Sequence, residues 1–147
     1  MTAYTGTIVN AGRSGERGAQ YVATGTYALT GALVENDTIT WSNFFPPGEF
    51  KLVDFEFWAP ELDTNASPTA TAIIGDGTDT DAYLTTKNIG KPAQLPANGS
   101  QLVYRGDGAS IGTSFTGLRD VVLTVNAAVA TGATTGTLRI MAVIEGI

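Results

Sequence analysis

NFFPPGEFKLVDFEFWA (43–59) and, two residues later, LDTNASPTATAIIGDGTDTDAYL (62–84) form the stretch whose reading decides the fold. Pro46-Pro47-Gly48 makes a turn, and beyond it Val53, Phe55 and Phe57 alternate with Lys51, Asp54 and Glu56. That period of two predicts a half-buried strand with Val53, Phe55 and Phe57 inward. A second strand is expected over Thr69 to Ile74. Asp63, Asn65, Ser67 and Pro68 supply loop chemistry between the two, and Gly75-Asp76-Gly77 stops the second strand before an acidic turn.

The same pattern extends outward in both directions. Tyr21, Ala23, Tyr27, Leu29 and Leu33 fall on alternate positions with Val22, Thr24, Thr26 and Thr30 opposite them, as in a strand with one buried face. Glu35-Asn36-Asp37 turns the chain into a strand from Thr38 to Phe44, with Ile39 and Trp41 on one face and Thr38, Thr40 and Phe44 on the other. Residues 79–100 read as a long loop broken by Gly90, Pro92, Pro96 and Gly99, with Asp81–Lys87 left between a helical turn and a short strand. Gln101–Arg105 is a brief strand. Val121, Leu123, Val125, Ala127 and Val129 alternate, Thr131-Gly132-Ala133-Thr134 turns, and Leu138, Ile140, Ala142 and Ile144 alternate back, which predicts a hairpin in a central place. No segment carries a helical stripe across three turns. The fold class expected is all-β, an antiparallel β-sandwich over residues 20–147, preceded by an irregular N-terminal arm over residues 1–19. That arm holds Gly6, Gly12, Gly15 and Gly18 and is read either as a frayed terminus or as a strap ordered against a neighbour.

Leu62-Asp63-Thr64-Asn65, Ser67-Pro68-Thr69, Gly75-Asp76, Asp79, Asp81 and Tyr83 stand in an order that resembles a group of small tailed-phage virion proteins, usually structural or head-decorating. The turn Phe45-Pro46-Pro47-Gly48 departs from the leucine-led form of that group. The resemblance covers about the middle third of the chain and implies a jelly-roll-like connection of the sandwich. It also implies a decoration or cement protein on the outer surface of the virion, with the major capsid protein as partner and self-association, a homotrimer, around a three-fold position. It brings no active site and no cofactor.

Composition sets the remaining bounds. At 147 residues one domain is expected, large enough to bury a core without disulfides or metals. Charged residues make up 15 %, against roughly 25 % in ordinary soluble proteins. A surface so low in charge fits either coverage in an assembly or a threonine-faced β-domain. A net charge of −6 with eight Lys and Arg argues against nucleic-acid binding, which needs clustered positive charge. No apolar run approaches the length of a membrane span, so no membrane association is expected. The absence of cysteine and of a charged start followed by an apolar run fits synthesis in a host cytoplasm.

The chain has no histidine, which removes the commonest general base and metal ligand, and no enzymatic role is expected. Asp54 with Glu56, and Glu61 with Asp63, are spaced as carboxylate pairs, but their reading as surface charge is the simpler one. Asp76, Asp79 and Asp81 have the chemistry of a calcium loop without its spacing, so a structural turn is favoured, and Arg105-Gly106-Asp107 reads as a hairpin turn. The candidate interface residues are Tyr4, Ile8, Val9, Arg13 and Arg17 in the arm, and the aromatics Trp41, Phe44, Phe45 and Trp58. Parity on its strand turns Trp58 outward beside Asp54 and Glu56. An alternative reading is a receptor- or carbohydrate-binding head of a tail fibre, using Trp41, Trp58 and Tyr104.

Overall fold

The alternation from Phe50 onward builds the longest strand, Glu49–Ala59, in a computed structural model that describes residues 1–10, 18–45, 47–89 and 102–147. In chain order the strands are β1 (Ala3–Thr5), β2 (Thr7–Asn10), β3 (Gln20–Ala28), β4 (Thr38–Phe45), β5 (Glu49–Ala59), β6 (Thr71–Gly75), β7 (Leu84–Asn88), β8 (Leu102–Arg105), β9 (Ser114–Thr116), β10 (Arg119–Ala127) and β11 (Thr137–Gly146). They form two sheets. The first has the order β1-β4-β10-β6-β7 and the second the order β2-β3-β11-β5-β8, with β9 also on β5. Every pairing is antiparallel except β1 on β4. The expected sandwich is therefore present.

The core lies between the sheets. Ile39, Trp41, Val121, Leu123, Ala72 and Ile74 face inward from the first sheet, and Ala23, Phe55, Phe57, Leu138, Ile140 and Ile144 from the second. At one end Phe45, Phe50, Phe55, Tyr83 and Phe115 form an aromatic cluster with ring centroids 5.2–6.5 Å apart. Offset and edge contacts of this kind add to what their burial contributes.

Five expectations are corrected. β10 and β11 do not form a hairpin: β10 lies between β4 and β6 in the first sheet, and β11 between β3 and β5 in the second. Alternation says which side of a strand is buried, not which strand it pairs with, and the connection crosses from one sheet to the other. Val53 is not inward, because a bulge opposite Val143 and Ile144 pairs Asp54 and Leu52 in succession and sends Leu52 into the core instead. Phe44 is buried as well as Phe45, since Asn43 at φ 52° and a register shift opposite Arg119 and Val121 break the alternation of β4. The loop expected over residues 79–100 contains β7; residues 90–100 lie outside the described residues.

The fifth correction concerns the arm. Residues 3–10 are not irregular, because β1 lies along β4 in the first sheet and β2 along β3 in the second. The chain crosses between the sheets at Gly6, whose backbone rests on the Trp41 indole. A Cβ on Gly6 would sit 2.1 Å from Trp41 Nε1, so a residue without a side chain is required here. Trp41 itself is held by donating its Nε1 proton to the Thr26 carbonyl at 3.0 Å. Thr2 N donates to the buried Asp37 carboxylate at 2.7 Å and fastens the start of the segment.

Candidate interaction surface

Of the residues that carried the resemblance, Leu62, Asp63, Gly75, Asp76 and Tyr83 are buried, while Thr64, Ser67, Thr69, Asp79 and Asp81 are exposed. Asp63 is fully buried and accepts five backbone N–H groups: Asn65 and Thr131 on Oδ1 at 3.2 and 2.9 Å, and Thr69, Ala70 and Ala130 on Oδ2 at 2.9, 3.3 and 3.0 Å. Thr69 Oγ1 donates to the Ala128 carbonyl at 2.6 Å, and Asn65 accepts from Ser67 N at 2.9 Å. One carboxylate thus knots the β5–β6 loop to the β10–β11 connection. Burial alone would raise its pKa, but the hydrogen bonds from Thr131, Thr69, Ala130 and Asn65 outweigh it and hold the group at about 2.

Asp76 is employed in the same way at the acidic turn. Its Oδ1 accepts from Thr78 N and Asp79 N at 2.7 and 2.8 Å, and its Oδ2 from Arg119 at 3.0 Å. Burial opposes ionisation, and these N–H groups and the guanidinium overcome it, so the pKa is lowered. Arg119 also lies over the Phe115 ring, 4.7 Å from its centroid. The calcium-like spacing of Asp76, Asp79 and Asp81 is a turn closed by its own backbone, and among the described residues no cluster of three metal-ligating side chains occurs. Arg105-Gly106-Asp107 is likewise tied within the chain, with Arg105 bonded to Asp54 at 2.9 Å and Asp107 to Lys87 and Thr85.

Of the proposed interface residues, Trp41, Phe44 and Phe45 are 0 % exposed and offer a partner no side-chain surface. Their parity and size served the core, which corrects that expectation. Tyr4 and Ile8 are half-buried and pack on the core, Tyr4 with its ring 5.5 Å from that of Tyr27. Val9 is 64 % exposed. Arg13 and Arg17 lie outside the described residues. Trp58 is outward as parity required, 36 % exposed, and donates to Glu56 Oε2 at 3.2 Å.

Trp58 belongs to a row across the second sheet, Thr7–Thr26–Arg139–Trp58–Val103, next to a row Thr24–Met141–Glu56–Arg105. A groove of about 240 Å³ opens here between Val9, Thr24, Trp58, Arg139 and Met141. Its walls are largely apolar, Arg139 is the charged residue lining it, and Glu56 and Arg105 stand in the adjacent row. Arg139 and Met141 were not singled out from the sequence. The signal was present, because both alternate with the inward Leu138, Ile140 and Ala142.

The outside of the first sheet is chemically different. Thr38, Thr40, Thr124, Thr71 and Asn126 face outward there, and Asn126 bonds to Thr71 at 2.6 Å and Thr86 at 3.2 Å. The class that this geometry defines is a two-sheet β-domain whose polar motifs are structural and whose distinctive surface is an aromatic-centred groove on one sheet.

No family model and no curated protein matches the chain. Among solved structures it is similar to a chain of the cyanophage Pam1 capsid asymmetric unit, with a TM-score of 0.71 and 24 % identity over 90 % of this chain and 89 % of that one. It is also similar to a chain of the capsid of Ralstonia phage GP4, with a TM-score of 0.65 and 19 % identity over 90 % of this chain and 87 % of that one. The likeness is one of fold and extends over the whole domain.

Proposed function

We propose that the protein is an accessory structural component of a tailed-phage head, a cement protein that binds the outer surface of the shell and clamps neighbouring major-capsid subunits. The observation that carries this reading is the end-to-end likeness to chains of two phage capsids. The likeness covers nearly all of this chain and of each matched chain, so it is not confined to one segment of either. The strand order supports the same reading: β3-β11-β5-β8 facing β4-β10-β6-β7 is an eight-strand kernel connected as a jelly roll, an architecture used by viral capsid proteins. Trp58 and its groove are the surface we assign to the shell. The mechanism is mechanical: each clip makes weak contacts to several subunits, and simultaneous engagement supplies the strength.

Purified protein mixed with emptied mature heads of the phage that encodes it is expected to sediment with the heads and to raise their resistance to heat. Protein that stays in the supernatant overturns the reading. The exposed pairing of Trp58 with Glu56 also has the chemistry of a sugar site, an aromatic face beside a carboxylate. Glycan-array binding without head binding would establish that second reading. Of the other aromatics it invoked, Trp41 is buried, and Tyr104 directs its hydroxyl to the Asn88 carbonyl.

A further inference from the structure

β1 is the outermost strand of the first sheet, and its backbone is engaged on one side. Thr38 N donates to the Thr2 carbonyl at 3.0 Å, and Gly6 N donates to the Thr40 carbonyl at 2.8 Å. These bonds turn Thr2, Tyr4 and Gly6 toward β4. By the alternation of a strand, the N–H and C=O groups of Ala3 and Thr5 then point away from the sheet. Both residues are exposed, and among the described residues β1 pairs with β4 alone.

Natural sheets guard such edges with charge, proline or a covering segment. The opposite edge of this molecule is guarded: Lys87 on β7 and Arg105 on β8 are both ion-paired there. Residues 1–10, MTAYTGTIVN, contain neither a charged side chain nor a proline. Met1 adds exposed apolar surface at 92 %.

We propose that this edge is a contact between two copies of the chain. β1 pairs antiparallel with β1 of a second copy about a two-fold axis at Tyr4, with Ala3 opposite Thr5 of the second copy. Register and hydrogen-bonding parity agree in this arrangement. The two outward residues of each strand meet as hydrogen-bonded pairs, which exchange about four N–H···O bonds, and Tyr4 falls at the non-bonded position between them. Tyr4 keeps its ring inside against Tyr27, so the small Ala3 and Thr5 meet without obstruction. The absence of charged side chains from residues 1–10 is what admits a second copy as the occupant. The chain carries a net −6 and repels itself over most of its surface, and an isologous contact needs a patch compatible with itself. The assembly this implies is a dimer rather than the trimer expected from the sequence, and the inference does not depend on the capsid reading.

Light scattering on the full chain over a wide concentration series tests it. The mass is expected to rise from one chain to two with concentration, as a short strand pair dictates. Thr5→Pro removes an outward N–H and leaves the bonds to β4 intact, so it is expected to weaken the dimer by more than about tenfold with an unchanged melting temperature. Thr5→Lys guards the same edge by charge without touching the backbone and is expected to do likewise. A monomer at every concentration, a trimer, or a dimer indifferent to both substitutions would overturn the proposal.

Discussion

The loop from Leu62 to Thr69 and the first ten residues both hold the sandwich closed, by opposite means. The loop converges on one side chain, and Asp63 takes up five N–H groups from two connections. The N-terminal segment is held by edge pairing, by one glycine on an indole and by one bond to Asp37, and among the described residues the far side of β1 is unpaired. In the first arrangement the carboxylate at its centre is buried and saturated. The second can be extended. In this molecule the recognisable polar motifs mark internal construction, whereas the surfaces proposed for partners, the Trp58 groove and the β1 edge, carry no such motif.

The widest test of that contrast is Asp63→Ala, which leaves several buried N–H groups unsatisfied and is expected to cost about 4 kcal/mol in urea unfolding. A cost no larger than that of an exposed substitution would break the comparison. Gly6→Ala puts a methyl group into the Trp41 ring and is expected to cost about 2 kcal/mol. Its tryptophan fluorescence should shift toward that of an exposed indole as the segment lifts.

Acid distinguishes the two regions by a comparable amount. Asp63 titrates at about 2 when folded against an ordinary 3.8, so its contribution is complete above pH 3.8 and is lost as the pH falls toward 2. The loss amounts to about 2 kcal/mol and is expected to vanish from the pH profile of Asp63→Asn. Hydrogen exchange at falling pH, corrected for intrinsic rates, should release Thr69, Ala130 and Thr131 before the amides of β4 that face β1. Trp58→Ala is expected to cost about 1 kcal/mol or less, since its ring lies on the outside of the sheet. Tyr83→Phe should be smallest of all, neutral or slightly stabilising in thermal unfolding. The buried Tyr83 hydroxyl has no partner among the described residues, and burial pushes its pKa up.

Much of the fold was legible because period-two burial is a local property. The inward faces of β3, β10 and β11 and the outward turn of Trp58 followed from alternation alone. What alternation does not carry is pairing. It could not separate a hairpin from a crossover at Thr131–Thr134, nor foresee the bulge at Val53, which shifts parity by one residue and exchanges inside for outside, nor the irregularity at Asn43, which breaks the alternation of β4. The segment 1–10 was obscure for a related reason. It is too short to show a period, and its place is fixed by the Trp41 ring more than 30 residues away. The aromatic candidates divided along the same line: Trp41, Phe44 and Phe45 went to the core, while Trp58 remained on the surface with Arg139 and Met141.

The central claim is that the outer face of the second sheet meets a capsid shell. A cryo-electron microscopy reconstruction of heads incubated with the protein tests it most directly. The account predicts density for the sandwich on the outside of the shell with Trp58 and Arg139 turned toward it. A bound sandwich that turns this face to solvent, or heads that remain bare, would contradict it.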